Sequence, residues 1–534
     1  MHIENLGTVL GIDVPFVVPA ILVLYMVVML GIGLYAAIKI KSSEDWFVGN
    51  RQMGPWITAL AHGSSSLGGG MYVAGPQFGW EMGAAALWAA PGDVFGPLLN
   101  FGIIARRMRR FSEKIKAFTI PDFLACRYYS ETVRLIAVVI LIVSMIISMV
   151  VEYLALGVII SAITGWSFSL ALISGCVIIL LYTGAGGYLA VAYTDFVQSL
   201  LMVLGMFILI PVCLSHVGGF SGMNAGLYQI NAGLPTLWGP DFQLWGAPMM
   251  IAGIALVYFI GYMGQPHLII KTVAVKDTPS IRLVPMIGAC FGFLLAFGVY
   301  TLGCVGRVAF PEISMLPAQN AEYVMPMLTL KFLHPVLAGL LLAGATAAIM
   351  STASALLLVV GSCAGNDLYK NILCKNASEK SVMRVSKLAT YGFGVLGIVM
   401  CFMPIMQIGI YQVTWIAWSI LSPAYIPSIV AGLYWPRATK EGSIASMLSG
   451  SVIGFVWYYT LQESTNIHTF FAALVVSTVA MIVVSLMTKR PPQDVINLIR
   501  YAAEFGELDV TDNAKNAAVK ISTANFNRLI EENI

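Results

Sequence analysis

The sequence predicts an all-α integral membrane protein of about thirteen transmembrane helices, and three observations lead there. Of its 534 residues 58% are hydrophobic and only 10% charged, whereas soluble domains carry about a quarter charged. Apolar runs of about 20 residues, the length that crosses hydrocarbon, repeat nearly end to end. Lysine and arginine collect in alternate connections between those runs, as cytoplasmic loops require.

The runs fall near 16–38, 53–80, 84–105, 133–163, 167–185, 188–214, 247–270, 282–306, 336–366, 384–405, 408–434, 442–461 and 467–488. With the N-terminus outside, the inner connections hold Lys39, Lys41, Arg51, the cluster Arg106, Arg107, Arg109 and Arg110, and then Lys114 and Lys116. They also hold Lys271, Lys276, Lys370, Lys375, Lys380, Arg437, Lys440, Lys489 and Arg490. The outer connections keep only Arg307 and Lys331 of the 29 basic residues, and the Gly/Pro-rich stretch 215–245 has none. The C-terminus is therefore expected in the cytoplasm. The beginning of the chain shows no basic region or cleavage site of a secretory signal, so the first run is expected to stay as a helix. The organisation predicted is one membrane domain over 1–490 and a polar tail over 491–534, either a solvated cytoplasmic extension or a regulatory segment.

Enzyme classes find no footing. The eight cysteines are scattered without a CxxC pair, and the six histidines form no HExxH and no cluster. The second and seventh runs, by contrast, are built wrongly for plain anchors. The second reads Ala61-His-Gly-Ser-Ser-Ser-Leu-Gly-Gly-Gly-Met71 and the seventh Phe259-Ile-Gly-Tyr-Met-Gly-Gln-Pro-His267. Consecutive glycines weaken a helix interior, and Pro266 removes a backbone donor. Unwound backbone at membrane depth survives only inside protein or along a cavity. There its carbonyls can hold a cation, and half-helix N-termini can face anionic groups. Each break opens a set of five runs, and an odd number inverts the second set against the first. Paired interruptions of this kind point to a transport site; close packing through small residues is the other reading of either segment.

In the ninth run Ala348, Ser351 and Thr352 stand at i, i+3 and i+4, so they share a helical face. A carbonyl and two hydroxyls there could serve a small hard cation, or the hydroxyls could simply bond back along their own helix. Acids within membrane runs are rarer. Asp195 opens the sixth run in Tyr193-Thr-Asp195 and Glu152 lies deep in the fourth, while Asp93, after Pro91-Gly92, is expected to accept local backbone bonds.

Together these segments resemble the sodium:solute symporter family over roughly residues 15–490, nearest to its bacterial sodium/proline branch. The resemblance rests on Gly54-Pro55, Leu181-Tyr-Thr-Gly-Ala-Gly-Gly-Tyr-Leu-Ala-Val191 with Tyr193-Thr-Asp195, and Gly264-Gln-Pro-His267. It rests equally on Ala348-Ile-Met-Ser-Thr352 and Gly432-Leu-Tyr-Trp-Pro-Arg-Ala-Thr-Lys-Glu-Gly442. It implies a leucine-transporter-like core of five plus five inverted helices that co-transports sodium with a small organic solute. By motif, the sodium ligands would be the carbonyls of Ser64, Leu67 and Ala348 and the hydroxyls of Ser351 and Thr352. A second sodium would use Asp195, Ser351 and Ser354, although a further serine of that site is Ala355 here. Solute contacts would come from Ser65, Gly68, Gly69, Glu152, Tyr258, Tyr262 and Gln265.

The chain departs from the branch where solutes bind. Ser66 stands for an aspartate, Tyr258 for a tryptophan, Ser148 for a tyrosine, and Glu152 for a small residue. Glu152, on the same face as Ser148, could bond an amine, which favours an amino acid or other amine-bearing solute. Protonated, it would suit a carboxylate, leaving monocarboxylate, pantothenate or sugar-acid uptake, or a non-transporting sensor of the same fold, as the other expectation. The expected location is the bacterial cytoplasmic membrane, and the expected partners are sodium, the solute and the bilayer, with no nucleic acid.

Overall fold

Helices make up nearly all of the computed structural model, which describes residues 14–240, 247–311, 318–406 and 409–504. Eight of the described helices are long and apolar enough to cross a membrane. They cover nine of the predicted runs, because the fifth and sixth form one helix, Phe168–His216, of 49 residues. At 1.5 Å per residue such a helix would reach about 74 Å, more than twice the thickness of hydrocarbon. Gly187 divides it at φ +50° and ψ −147°, a conformation open to glycine but strained for other residues. A side chain there would also drive its Cβ to 2.5 Å from Trp46 Cδ1. The division falls where the sequence separates 167–185 from 188–214.

The other four runs are helical but not plain spans. The second is split into Pro55–Ser66, Gly69–Tyr72 and Ala74–Met82, and the seventh into Pro248–Phe259, Gly261–Gly264 and Pro266–Val273. The third passes through short helical pieces from Gly83 to Ile115, and the twelfth, Lys440–Thr460, is rich in serine and glycine. Four short helices stand where the sequence suggested only connections: Ser43–Val48, Ile120–Arg127, Gly219–Ile230 and Val324–Phe332. Of the expected tail, Gln493–Glu504 is helical, while 505–534 lies outside the described residues, as do 1–13 and 241–246.

Burial sorts the spans into a centre and a rim. The most apolar stretch of the ninth span is 100% buried inside the protein, against 28% for the first and tenth and 33% for the thirteenth. The ninth span is therefore the axis of the bundle. Its run Ala343-Gly-Ala-Thr-Ala-Ala348 lets neighbouring backbones approach closely. The rim helices turn Leu24, Ile38, Leu396 and Leu486 outward, where lipid rather than water would meet them.

Two polar fastenings close one end of the bundle, the end that carries the basic connections. The Arg127 guanidinium is buried and donates to Gly432 O at 2.6 Å, Trp435 O at 3.1 Å and Ala438 O at 3.4 Å. It thus adds a charged donor to carbonyls around the end of the eleventh span, Ile410–Tyr434, and it accounts for the Gly432–Gly442 motif. At the start of the second span Met53 N–H donates to Ala274 O at 3.2 Å, and Lys276 N–H donates to Met53 O at 3.0 Å. This short parallel bridge between Met53 and Val275 ties the two broken helices together at one end.

Candidate cation and solute sites

The second span begins with Gly54 ahead of Pro55, a residue whose fixed φ suits a first helical position. It keeps helical geometry through Ser66 and then lets go: Leu67 adopts φ −112°, ψ 57° and Gly68 φ −82°, ψ −148°. The release frees carbonyls from the helical ladder, and the ninth span meets them. Ser351 Oγ donates to Ser64 O at 2.9 Å, and Thr352 Oγ1 lies 3.4 Å from Ser64 O and 3.2 Å from Ser65 O. Both hydroxyls also reach Ala348 O, at 2.8 and 3.3 Å. Four of the five groups expected to bind sodium thus converge on one point, and Leu67, 1% exposed, ends the half-helix next to Ser66 in the chain. The hydroxyls bond back to their own helix, as one of the two expectations had it, and also across to the broken one.

Asp195 behaves differently from its expected part in a second sodium site. Its Oδ2 accepts from Lys271 Nζ at 2.7 Å and from Ser65 Oγ at 3.0 Å. The same ammonium donates to Ser65 Oγ and to Ala61 O. Its three N–H groups therefore find a carboxylate, a hydroxyl and a carbonyl, the full donor capacity of a lysine. Ser351 Oγ and Ser354 Oγ turn instead to backbone carbonyls, Ser354 donating to Ser351 O at 3.0 Å. The sequence placed Lys271 among the charges of an inner connection. It is instead 2% exposed, inside the half-helix Pro266–Val273. The half-helix is eight residues long and starts at the break, so this lysine is carried back to the second span.

Beside the cation groups lies a cavity lined by Ser65, Gly68, Glu152 and Tyr258 among the expected solute residues. Glu152 Oε2 accepts the Gly69 N–H at 2.6 Å, so Gly69 serves through its backbone. Tyr262 stands behind the wall, its hydroxyl donating to Asp93 Oδ1 at 2.8 Å. Gln265 is turned away, its amide donating to Ser422 Oγ at 2.8 Å, and Ser422 Oγ in turn donates to Gly261 O at 2.9 Å. Asp93 is not the local backbone acceptor the sequence suggested. It lines the cavity, and its Oδ2 is buried without a hydrogen-bond partner among the described residues. Trp418, His267 and Thr414 also line it; His267 closes the broken segment the sequence marked without a role assigned to it, while nothing local marks Thr414 and Trp418. Thr352 borders the cavity as well, so one side chain faces both the cation groups and the solute space. Gly68 is the separating wall. A Cβ there would come within 2.7 Å of Thr352 Cβ and 2.8 Å of Glu152 Oε1.

No cluster of His, Cys, Asp and Glu suited to a resident metal occurs among the described residues, whereas the hydroxyl–carbonyl set at Ser64, Ala348, Ser351 and Thr352 has the hard oxygens a sodium ion takes. The profile of the sodium:solute symporter family matches residues 46–450. The osmoregulated proline transporter OpuE of Bacillus subtilis is 30% identical over 88% of this chain and 94% of its own length. The high-affinity proline transporter PutP of the same organism is 28% identical over 88% of this chain and 97% of its own. The sodium/proline symporter of Staphylococcus aureus is 26% identical over 91% of this chain and 96% of its own. Among solved structures, the substrate-bound outward-open state of a sodium-coupled sialic acid symporter overlays with a TM-score of 0.76 at 18% identity, covering 90% of this chain and 100% of that one. The nucleobase-cation-symport-1 transporter Mhp1 gives 0.52 at 13% identity over 85% of this chain and 97% of its own. The fold is thus the leucine-transporter-like one, and the molecule is a multi-pass plasma-membrane transporter, not an enzyme, that couples sodium to the movement of a small solute. It belongs to the sodium:solute symporter family.

Proposed function

We propose that one sodium ion binds at the carbonyls of Ser64, Leu67 and Ala348 and the hydroxyls of Ser351 and Thr352, and drives import of an amino acid or other amine-bearing solute by alternating access. The observation that supports the cation site is the meeting of Ser351 Oγ and Thr352 Oγ1 with Ser64 O across the break. A hydroxyl has lone pairs to spare, so both can swing from the carbonyl to an ion that the carbonyl also holds. The limit of one ion rests on Lys271, whose ammonium already takes the Asp195 carboxylate that a second sodium would need. The solute would lie in the cavity beside Glu152, with Ser65, Gly68 and Tyr258 around it. Proline is the solute in the names of the bacterial relatives, and an amine-bearing cargo agrees with them. A carboxylate cargo, as in the sialic acid symporter, is the second reading, and a protonated Glu152 would permit it.

The orientation proposed is N-terminus outside and C-terminus in the cytoplasm, on the uneven spread of basic residues. Uptake into vesicles tests the whole reading. Accumulation of an amine-bearing solute that follows an imposed sodium gradient, with a Hill coefficient near 1 for sodium, is the expected result. Uptake indifferent to sodium, or steered equally by potassium, would defeat it.

A further inference from the structure

Glu152 sits at one particular place in the second span. Where helix resumes after the break, the first backbone N–H groups point along the axis with no carbonyl behind them. In transporters built on broken helices such a half-helix end faces the anionic part of the substrate. Here the carboxylate of the fourth span has taken that position. Glu152 is 5% exposed, and its Oε2 accepts from Gly69 N–H at 2.6 Å. Its other oxygen, Oε1, stays against Gly68, on the cavity side of the break.

The rest of the cavity asks for positive charge. Asp93 brings a second carboxylate, one oxygen held by Tyr262 and the other buried without a partner among the described residues. Tyr258 and Trp418, with ring centroids 5.6 Å apart, line the same space and offer aromatic faces of the kind that attract ammonium groups. Neither lysine nor arginine lines it. Lys271, the nearest candidate along the broken helix, has all three of its donors engaged at Asp195, Ser65 and Ala61.

We infer that the solute is an organic cation without a carboxylate of its own, a protonated or quaternary amine, because Glu152 already fills the place where a substrate carboxylate would dock. The inference rests on the sodium-symport reading above and narrows its solute class. An amino acid would have to bring a negative charge into a cavity holding two carboxylates and no free cation among the lining residues. An amine brings the missing charge and leaves the half-helix end as it is.

Pairs of compounds that differ only by a carboxylate test this: pyrrolidine with L-proline, histamine with L-histidine, agmatine with L-arginine, and tetramethylammonium with glycine betaine. Binding to purified full-length protein is read by thermal shift and by isothermal titration in sodium chloride and in potassium chloride. The expected result is sodium-dependent binding of at least one amine, with its carboxylated partner ten-fold or more weaker. Glu152→Ala should reverse that order, the carboxylated partner gaining ten-fold or more as the Gly69 N–H comes free. Glu152→Gln keeps an acceptor for that group, so it should lose the amine without gaining the acid. A wild-type protein that prefers the carboxylated member, or that answers to sodium yet to none of the amines, would overturn the inference. So would variants that leave the preference unchanged. Failure of the underlying reading looks different: the protein would then show no sodium-specific stabilisation with or without a probe.

Discussion

Replacing Lys271 by methionine removes the ammonium and keeps most of the side chain's length. Asp195, 0% exposed, would be left with Ser65 Oγ at 3.0 Å as its only side-chain hydrogen-bond donor among the described residues. Breaking a buried ion pair from one side costs about 3–5 kcal/mol, because the surviving charge stays buried and unmatched. That loss lowers the folding equilibrium by two to three powers of ten or more. The oxygens of Ala61, Ser65 and Asp195 that held the ammonium remain, and they form a ligand set that a sodium ion can use. Sodium at about a hundred times its dissociation constant returns about 2.7 kcal/mol to a protein that binds it. The variant should therefore be strongly destabilised in potassium chloride and recover much of the loss in sodium chloride at equal ionic strength, beyond any recovery by the wild type. Unfolding in detergent micelles, followed by thermal shift or urea titration, reads both quantities. In uptake, the Hill coefficient for sodium should rise from near 1 toward 2. The double variant Lys271→Met with Asp195→Asn removes the orphaned charge and should regain most of the stability in either salt. If the single variants each cost less than about 1 kcal/mol and their effects simply add, the pair is not coupled and the account of a single sodium ion fails.

Removing both hydroxyls of the main cation site, Ser351→Ala with Thr352→Ala, should lower apparent sodium affinity from tens-fold to about ten-thousand-fold in uptake assays, at about 1–3 kcal/mol per lost partner; unchanged sodium activation would put the site elsewhere. Gly68→Ala forces a methyl between Thr352 and Glu152, so it should abolish sodium-driven uptake while the protein still reaches the membrane. Normal transport by this variant would mean the wall is soft. Arg127→Ala strips three backbone carbonyls of a charged donor and should cost about 3 kcal/mol or more, seen as a lower melting temperature in detergent; a variant as stable as the wild type would refute the fastening. A cysteine in 215–240 should react with an impermeant thiol reagent from outside, and one after Arg490 only in inverted or opened membranes. Labelling of both from one side would reverse the topology.

The features legible in the sequence were those encoded over short distances. Apolar runs marked the spans, glycine and proline marked the breaks at Leu67 and Gln265, and i, i+3, i+4 spacing put Ala348, Ser351 and Thr352 on one face. Their partner carbonyl at Ser64 came only from the family resemblance, because it lies 287 residues from Ser351. The charge partners were hidden for the same reason. Lys271 meets Asp195 across 76 residues, and Glu152 meets Gly69 across 83. Nothing in the half-helix Pro266–Val273 says that its lysine points inward, and positive charges near span ends ordinarily belong to loops. Gln265 misled in the opposite direction. Its place in the break suggested a solute contact, yet its amide is used to hold Ser422 of the eleventh span.

The bridge between Met53 and Val275 constrains how the molecule can move. Hydrogen bonds in both directions join the entrance of one discontinuous helix to the exit of the other, and together they oppose sliding at that end by about 1–3 kcal/mol. Travel of the two as one lever, with bending at Leu67–Gly68 and Ile260–Gln265, is the expected motion in a transport cycle. A covalent staple at the bridge should therefore be silent in turnover, while the same staple between either of these helices and the rim should stall the cycle.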